Sequence, residues 1–173
     1  MKIKEEHDII IEHHPHHESL NKKLMKDMEK VRDPKWGIPD GVRARVTDWH
    51  ADSPNIDLVV SWITNILYER YPWILERGYR LFFSNRWFAS YPRGECALTH
   101  VHLPFSWSWV YFVNTPKGSS PLVFTETRKK IYPKAGQMII FPSWIRHEVP
   151  PNKCEGRSII AGNYYYLNEG DQV

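Results

Sequence analysis

Cysteine is scarce in this sequence. Cys96 and Cys154 are the two that occur among 173 residues, too few to build a disulfide framework. Both are expected to be free thiols, as suits a reducing cytoplasm. Excess charge of one sign is missing as well. Lys and Arg number 23 and Asp and Glu 20, which leaves a formal net charge of +3. So small a surplus attracts anions weakly and does not call for a nucleic-acid partner. No apolar run approaches the roughly 20 residues of a transmembrane helix, and the N-terminus lacks the apolar region of a signal peptide. The expectation is a soluble, cytoplasmic protein without a membrane partner. No internal repeat is present.

Aromatic residues, by contrast, are plentiful: eight Trp, nine Tyr and seven Phe, within a hydrophobic content of 42%. Such a chain is not disordered, and its length suits one domain with a sizeable core. Aromatic side chains bury large areas and also line small-molecule pockets. His7, His13, His14, His16 and His17 crowd the first 18 residues. A histidine-rich tract can bind metal. Pro15 and the flanking charges favour the other reading, a flexible extension over 1–18.

Two helices are expected near the N-terminus. Leu20, Leu24, Met28 and Val31 recur at helical spacing over 19–31, with Ser19 as a fitting N-cap. Ile56, Val59, Val60, Ile63 and Leu67 make a second stripe over 56–71. Ser53 or Asn55 can cap it, Pro54 fits an early helix position, and Pro72 stops it. Between them, 33–55 is rich in Pro and Gly and reads as a connecting loop. From Tyr79 onward the pattern changes to short runs of Tyr, Phe, Trp, Val and Ile broken by turn residues. Strands are expected near 79–91, 96–102, 107–114, 121–127, 137–141 and 157–167. That makes the chain mainly β with N-terminal helices, a sandwich or barrel.

The chemistry concentrates in the β region. His100 and His102 lie two apart, so on a strand both project from one face. His147 follows 45 residues later and Arg157 ten after that. Imidazole suits iron, zinc, copper and nickel, and three ligands on one face with open positions beyond them are typical of non-haem Fe(II) oxygenases. A lone His-x-His pair recurs by chance. The later histidine and arginine, framed by a Phe-Pro turn and strand-like runs, raise its weight.

The ordered set of motifs resembles the phage and bacterial 2-oxoglutarate/Fe(II)-dependent oxygenases over roughly residues 85–167. Ser108-Trp109-Val110-Tyr111-Phe112, Pro133-Lys134-Ala135-Gly136, Phe141-Pro142 through His147-Glu148-Val149, and Arg157 through Asn163 match the family's motifs in order. The resemblance implies a double-stranded β-helix, the jelly-roll or cupin-like barrel. It would occupy 19–173 as one domain, with helical support over 19–78 and a β core over 79–167. It implies Fe(II) and 2-oxoglutarate as cofactors, and O2 and an unidentified prime substrate as partners. The substrate would be hydroxylated while 2-oxoglutarate is decarboxylated to succinate.

Residue by residue, the resemblance makes His100, His102 and His147 the catalytic metal ligands. The family more often has a carboxylate where His102 stands, so the third ligand is either His102 or a carboxylate such as Glu95, Glu126 or Glu148. Arg157 is the candidate for the distal carboxylate of 2-oxoglutarate, because guanidinium binds carboxylate through two parallel hydrogen bonds. The family's serine two residues later is Ile159 here. Ser158 comes one residue early and, on a strand, faces the opposite side, but it stays a cosubstrate candidate beside Tyr111 and Asn163. Trp87, Trp107, Trp109 and Trp144 are candidates for the entrance. Two other classes stay open: a three-histidine cupin-like metalloenzyme that does not use 2-oxoglutarate, and a non-catalytic β-sandwich binding module.

Overall fold

The computed structural model describes residues 7–30, 35–36 and 41–168. Its larger sheet holds, in spatial order, β1 (Ile10–His13), β9 (Gln137–Pro142), β6 (Trp107–Asn114), β11 (Arg157–Asn168), β4 (Tyr79–Tyr91), β3 (Arg45–Val46) and β2 (Lys35–Trp36). The smaller sheet holds β5 (Ala97–His100), β10 (His147–Val149), β7 (Leu122–Phe124) and β8 (Lys129–Ile131). Every ladder between these strands is antiparallel. Two such sheets facing each other form the double-stranded β-helix, or jelly roll, that the motifs imply. Among the described residues, no helix is long and apolar enough to cross a membrane.

Strand periodicity divides the core in two. Successive side chains on a strand leave opposite faces. On β6, Trp107, Trp109, Tyr111 and Val113 join one buried cluster, while Val110 and Phe112 join the other. On β9, Met138 and Ile140 separate from Ile139 and Phe141 in the same way. On β11, Ile160 and Tyr164 separate from Ile159 and Ala161. The first cluster lies between the larger sheet and the helices, and the second lies inside the roll. Gly162 of β11 has no Cβ because one would sit 2.6 Å from the Trp109 ring and from the Asn85 carbonyl.

Helices α1 (His17–Lys30) and α2 (Pro54–Arg70) cover the outer face. The α2 stripe of Ile56, Val59, Val60, Ile63 and Leu67 is buried as its spacing predicts, each side chain contributing about 1.5–3 kcal/mol. Ser53 caps the helix, its hydroxyl accepting from the Asn55 N–H, and Pro54 opens it. Pro72 ends it and starts the short α3 (Trp73–Glu76). On α1, Asn21 is buried and bonded through both its amide nitrogen and its oxygen. Its amide donates to the Val113 carbonyl at 2.7 Å, and its Oδ1 accepts from the Tyr111 hydroxyl at 2.7 Å. That pins the helix to β6.

Three local expectations change. Residues 10–13 pair with β9 rather than forming part of a flexible extension. The apolar Ile10 supplies the reason: it fills the helix-side core at 1% exposure. Helix α1 begins at His17, ahead of Ser19, whose hydroxyl donates to the His16 carbonyl. Val31, the last member of its expected stripe, lies outside the described residues. The connecting segment 33–55 contains β3, which extends the larger sheet by pairing with Ser90 and Ala89 of β4.

A histidine cluster and a buried arginine in one cavity

β5 and β10 lie side by side with His100 directly opposite His147. β5 ends at His100, so the strand expected to run on to His102 stops two residues early. His102 is set instead by its backbone N–H, which donates to the Ser143 carbonyl at 2.8 Å. The three imidazoles nonetheless converge, with one nitrogen from each within 4.8 Å of the others. His102 Nε2 and His147 Nε2 are 3.2 Å apart.

The orientation of the rings fits a cation between them. His100 Nδ1 contacts the Leu98 carbonyl at 2.6 Å, and His147 Nδ1 contacts the Ile145 carbonyl at 2.9 Å. A carbonyl only accepts, so both Nδ1 atoms carry the proton and both Nε2 atoms keep a free lone pair. Backbone carbonyls behind the ligating imidazoles orient metal-bound histidines in the same way. Two nitrogens each about 2.1 Å from one ion stand about 3.0 Å apart at a right angle and about 3.4 Å apart at a tetrahedral angle. The observed separation falls between these values.

Burial favours the neutral rings. It pushes His102 down to about 3, assisted by the neighbouring His147 and His100. It pushes His147 down to about 3 as well, with His100 adding to the effect and the Ile145 hydrogen bond opposing it. His100 is lowered by the same desolvation, against its bond to Leu98. The Trp87 ring stacks over His102 at 6.2 Å, and the Phe141 ring meets His147 edge-on at 4.7 Å.

Arg157 opens on the same cavity, whose volume is about 240 Å³. It leads β11 opposite Tyr91 of β4. Its guanidinium carbon lies 4.5 Å from the centre of the Tyr91 ring and 5.6 Å from that of Phe112. The side chain is 1% exposed, yet Nε and Nη1 have no hydrogen-bond partner. Burial lowers its pKa, and the adjacent Tyr91 phenol opposes that shift. A buried charge with unpaired donors costs several kcal/mol unless something satisfies them. An anion entering the cavity would supply that partner.

The other candidates divide by strand face. Tyr111 does not reach the cavity. It belongs to the helix-side core, and Asn21 takes its hydroxyl. Ser158 likewise departs from the cosubstrate role. It alternates with Arg157 along β11, and its hydroxyl donates to the Gly156 carbonyl at 3.2 Å. Asn163 is buried and bonds Ser108, whose hydroxyl donates to its Oδ1 at 2.7 Å. Ser108 borders the cavity and also bonds Ser143 at 2.8 Å, so Asn163 is linked to the cavity wall through a serine. Trp87 and Trp109 border the cavity. Trp107 instead stacks on Tyr71 on the helix side, and Trp144 is exposed away from the lining.

Glu95, Glu126 and Glu148 are not part of the cluster. Glu148 accepts from the Thr99 hydroxyl at 2.7 Å on the outer face of the small sheet. Among the described residues, the N-terminal histidines do not join a metal-sized cluster. His14 packs on Trp62, and His13 contacts the Ala135 carbonyl at 2.9 Å.

Sequence reasoning missed Val42, Val46, Thr47 and Trp49, which border the cavity from the segment expected to be a loop. The alternation of Val42, Ala44 and Val46 with Arg43 and Arg45 was the available signal. Trp49 lies against Trp87 at 4.6 Å and is 42% exposed, so the pair joins the cavity to the surface.

Solved structures share this fold. A viral collagen prolyl hydroxylase from Paramecium Bursaria Chlorella virus-1, solved as a 2OG complex, aligns with a TM-score of 0.70 at 16% identity, covering 91% of this chain and 94% of that one. A prolyl-4-hydroxylase from Pseudomonas putida aligns with a TM-score of 0.65 at 18% identity, over 95% and 94% of the two chains. An oxidoreductase of the 2OG-Fe(II) oxygenase family from Burkholderia pseudomallei aligns with a TM-score of 0.60 at 14% identity, over 85% and 79%. At such identities the likeness is one of fold. No protein-family model and no curated relative matches the sequence.

Proposed function

We propose that this chain is a non-haem Fe(II)- and 2-oxoglutarate-dependent dioxygenase that hydroxylates a carbon of its substrate. The observation that carries the reading is Arg157, a buried guanidinium with two unpaired nitrogens opening on the cavity that the three histidines share. A metal site alone fits several chemistries. A metal site with a buried, unpaired arginine in the same cavity fits a cosubstrate that bridges the two, with a chelating end and a carboxylate end.

In this reading His100, His102 and His147 hold the iron through one face. When bound, iron with 2-oxoglutarate and O2 supplies the oxidising chemistry, releasing CO2 and succinate. The chain contributes binding and orientation. Leu98 and Ile145 carbonyls fix the proton on the far nitrogen of two rings. Arg157 receives the distal carboxylate, with Tyr91 beneath it. Apolar walls that include Val110, Phe112 and Ile159 exclude water. Trp49 and Trp87 stand where a substrate enters.

The cupin-like alternative is favoured by His102, since a three-histidine set is as much a cupin feature. It leaves Arg157 without a purpose. A non-catalytic module leaves both features without one.

The test is 2-oxoglutarate binding to the anaerobic Fe(II) protein, followed by the visible charge-transfer band of the chelate. The parent should develop the band and release succinate with a substrate. Arg157→Met should keep its iron but bind 2-oxoglutarate more weakly by about 2–5 kcal/mol, which is roughly thirtyfold to several-thousandfold. Arg157→Lys should recover part of this, because an ammonium lacks the two-pronged fork. Affinity of the Met variant within about threefold of the parent, as expected of an exposed ion-pair arginine, would overturn the reading.

A further inference from the structure

The cavity contains no acid. Among the described residues, no Asp or Glu borders it, and its ionisable lining consists of three histidines, Arg157 and the Tyr91 phenol. Glu148, the residue that follows His147, is turned outward and bonded to Thr99. This distribution has a consequence for charge that rests on the function proposed above. A divalent cation and Arg157 bring three positive charges, the imidazoles are neutral, and a dicarboxylate cosubstrate removes two. One unit of positive charge remains in a cavity walled by Trp87, Val110, Phe112, Phe141 and Ile159. An unbalanced charge in such surroundings is costly. A carboxylate ligand in the place of His102 would have cancelled it.

We propose that the site is completed by a monoanion bound together with the dicarboxylate, carried by the prime substrate or taken from solution. His102 is the residue that creates the requirement, and the apolar walls intensify it, because Coulomb attraction grows as water is excluded. The chemical class of the ligand follows: one negative charge on a group small enough to reach the histidine cluster.

The experiment uses the cobalt(II)-loaded protein, whose visible spectrum reports coordination without turnover. At saturating 2-oxoglutarate, sodium azide stands for a small inorganic ion and sodium propionate for a substrate carboxylate with an apolar tail. The parent should respond saturably to at least one of them. His102→Asp, which supplies the missing charge from the protein, should weaken that response about tenfold or more. If that variant loses cobalt, Ser108→Asp decides in its place, since Ser108 borders the cavity without being one of the three histidines. Tighter binding of propionate assigns the anion to the substrate, and tighter binding of azide assigns it to solution; either supports the proposal. Binding of cobalt and 2-oxoglutarate with no response to either anion overturns the proposal alone. So does a response equal in the parent and the acidic variant. Failure of the parent to bind 2-oxoglutarate at all overturns the proposed function, and this inference with it.

Discussion

The two faces of the larger sheet are made from the same strands and nearly the same residue types, yet they treat polar groups in opposite ways. On the helix side, polar atoms are paired within the chain. Tyr111 and the Val113 carbonyl are both satisfied by Asn21. The Tyr164 hydroxyl donates to the Val60 carbonyl at 3.0 Å and shares a second bond with Thr64 at 2.9 Å. The Trp109 indole N–H is unpaired, in a residue that joins the helix-side cluster and also borders the cavity. Inside the roll, Arg157 is left with unpaired donors, and the Nε2 atoms of His102 and His147 face each other at 3.2 Å. Buried polar groups are normally paired, so concentrated exceptions need a cause. The helix side is finished by folding, whereas the inner side keeps donors open to a ligand.

Removing a ligand from the inner side should produce the largest effect. His147→Ala leaves two imidazoles, too few to complete a three-point face. Metal affinity should fall by more than the roughly 10–100-fold lost when only a group behind a ligand is removed. Elemental analysis after loading should find less than stoichiometric metal, while circular dichroism stays that of the parent. A full equivalent retained by the variant would place the ion elsewhere.

Acid should also separate the faces. His102 and His147 have pKa values near 3 in the folded chain, against 6.5 for a free imidazole. Between those values the unfolded chain binds more protons than the folded one. Stability of the metal-free protein should therefore be flat above about pH 6.5 and fall as pH drops toward 3, by on the order of a few kcal/mol. Denaturant titrations at several pH values measure this. In His147→Ala the slope should shrink, and an unchanged slope would remove that ring from the buried neutral state.

Asn21→Leu attacks the other face. It leaves the Val113 carbonyl and the Tyr111 hydroxyl buried without partners, at a cost of about 1–3 kcal/mol. Thermal melts should register the loss. Metal and 2-oxoglutarate affinities should hold, because nothing inside the roll has moved.

The sequence displayed part of this division and hid the rest, for reasons of range. Helix stripes and the pair His100 and His102 are local patterns, so α2 and the histidine cluster could be read directly. The ladder of Ile10–His13 with β9 joins residues more than 120 positions apart, and a three-residue strand such as β10 has no periodicity to detect. Arg157 was legible as a spacing, but its seat over Tyr91 depends on the register of two long strands. Tyr111 was misplaced because β6 is buried on both faces. When Trp107, Trp109 and Tyr111 alternate with Val110 and Phe112, hydrophobicity does not distinguish helix side from cavity side.

Tyr111 therefore gives the smallest and sharpest test. It sits on β6 between Val110 and Phe112, which line the cavity, and a phenol is a reasonable donor to a bound carboxylate. The structure turns it the other way, toward Asn21 on α1, and burial raises its pKa above the ordinary phenol range. Tyr111→Phe keeps the ring in the core and removes one hydrogen bond between neutral groups. The expected cost is about 0.5–1.5 kcal/mol, a fall in Tm of about 2–4 °C for each kcal/mol at this chain length. Asn21 keeps its bond to Val113, so the variant should be milder than Asn21→Leu. Cosubstrate affinity should stay within about twofold, since each tenfold change would need 1.4 kcal/mol of altered contact with the ligand. A tenfold weakening of 2-oxoglutarate binding at unchanged Tm would return the hydroxyl to the cavity and erase the division between the two faces on which the site assignment stands.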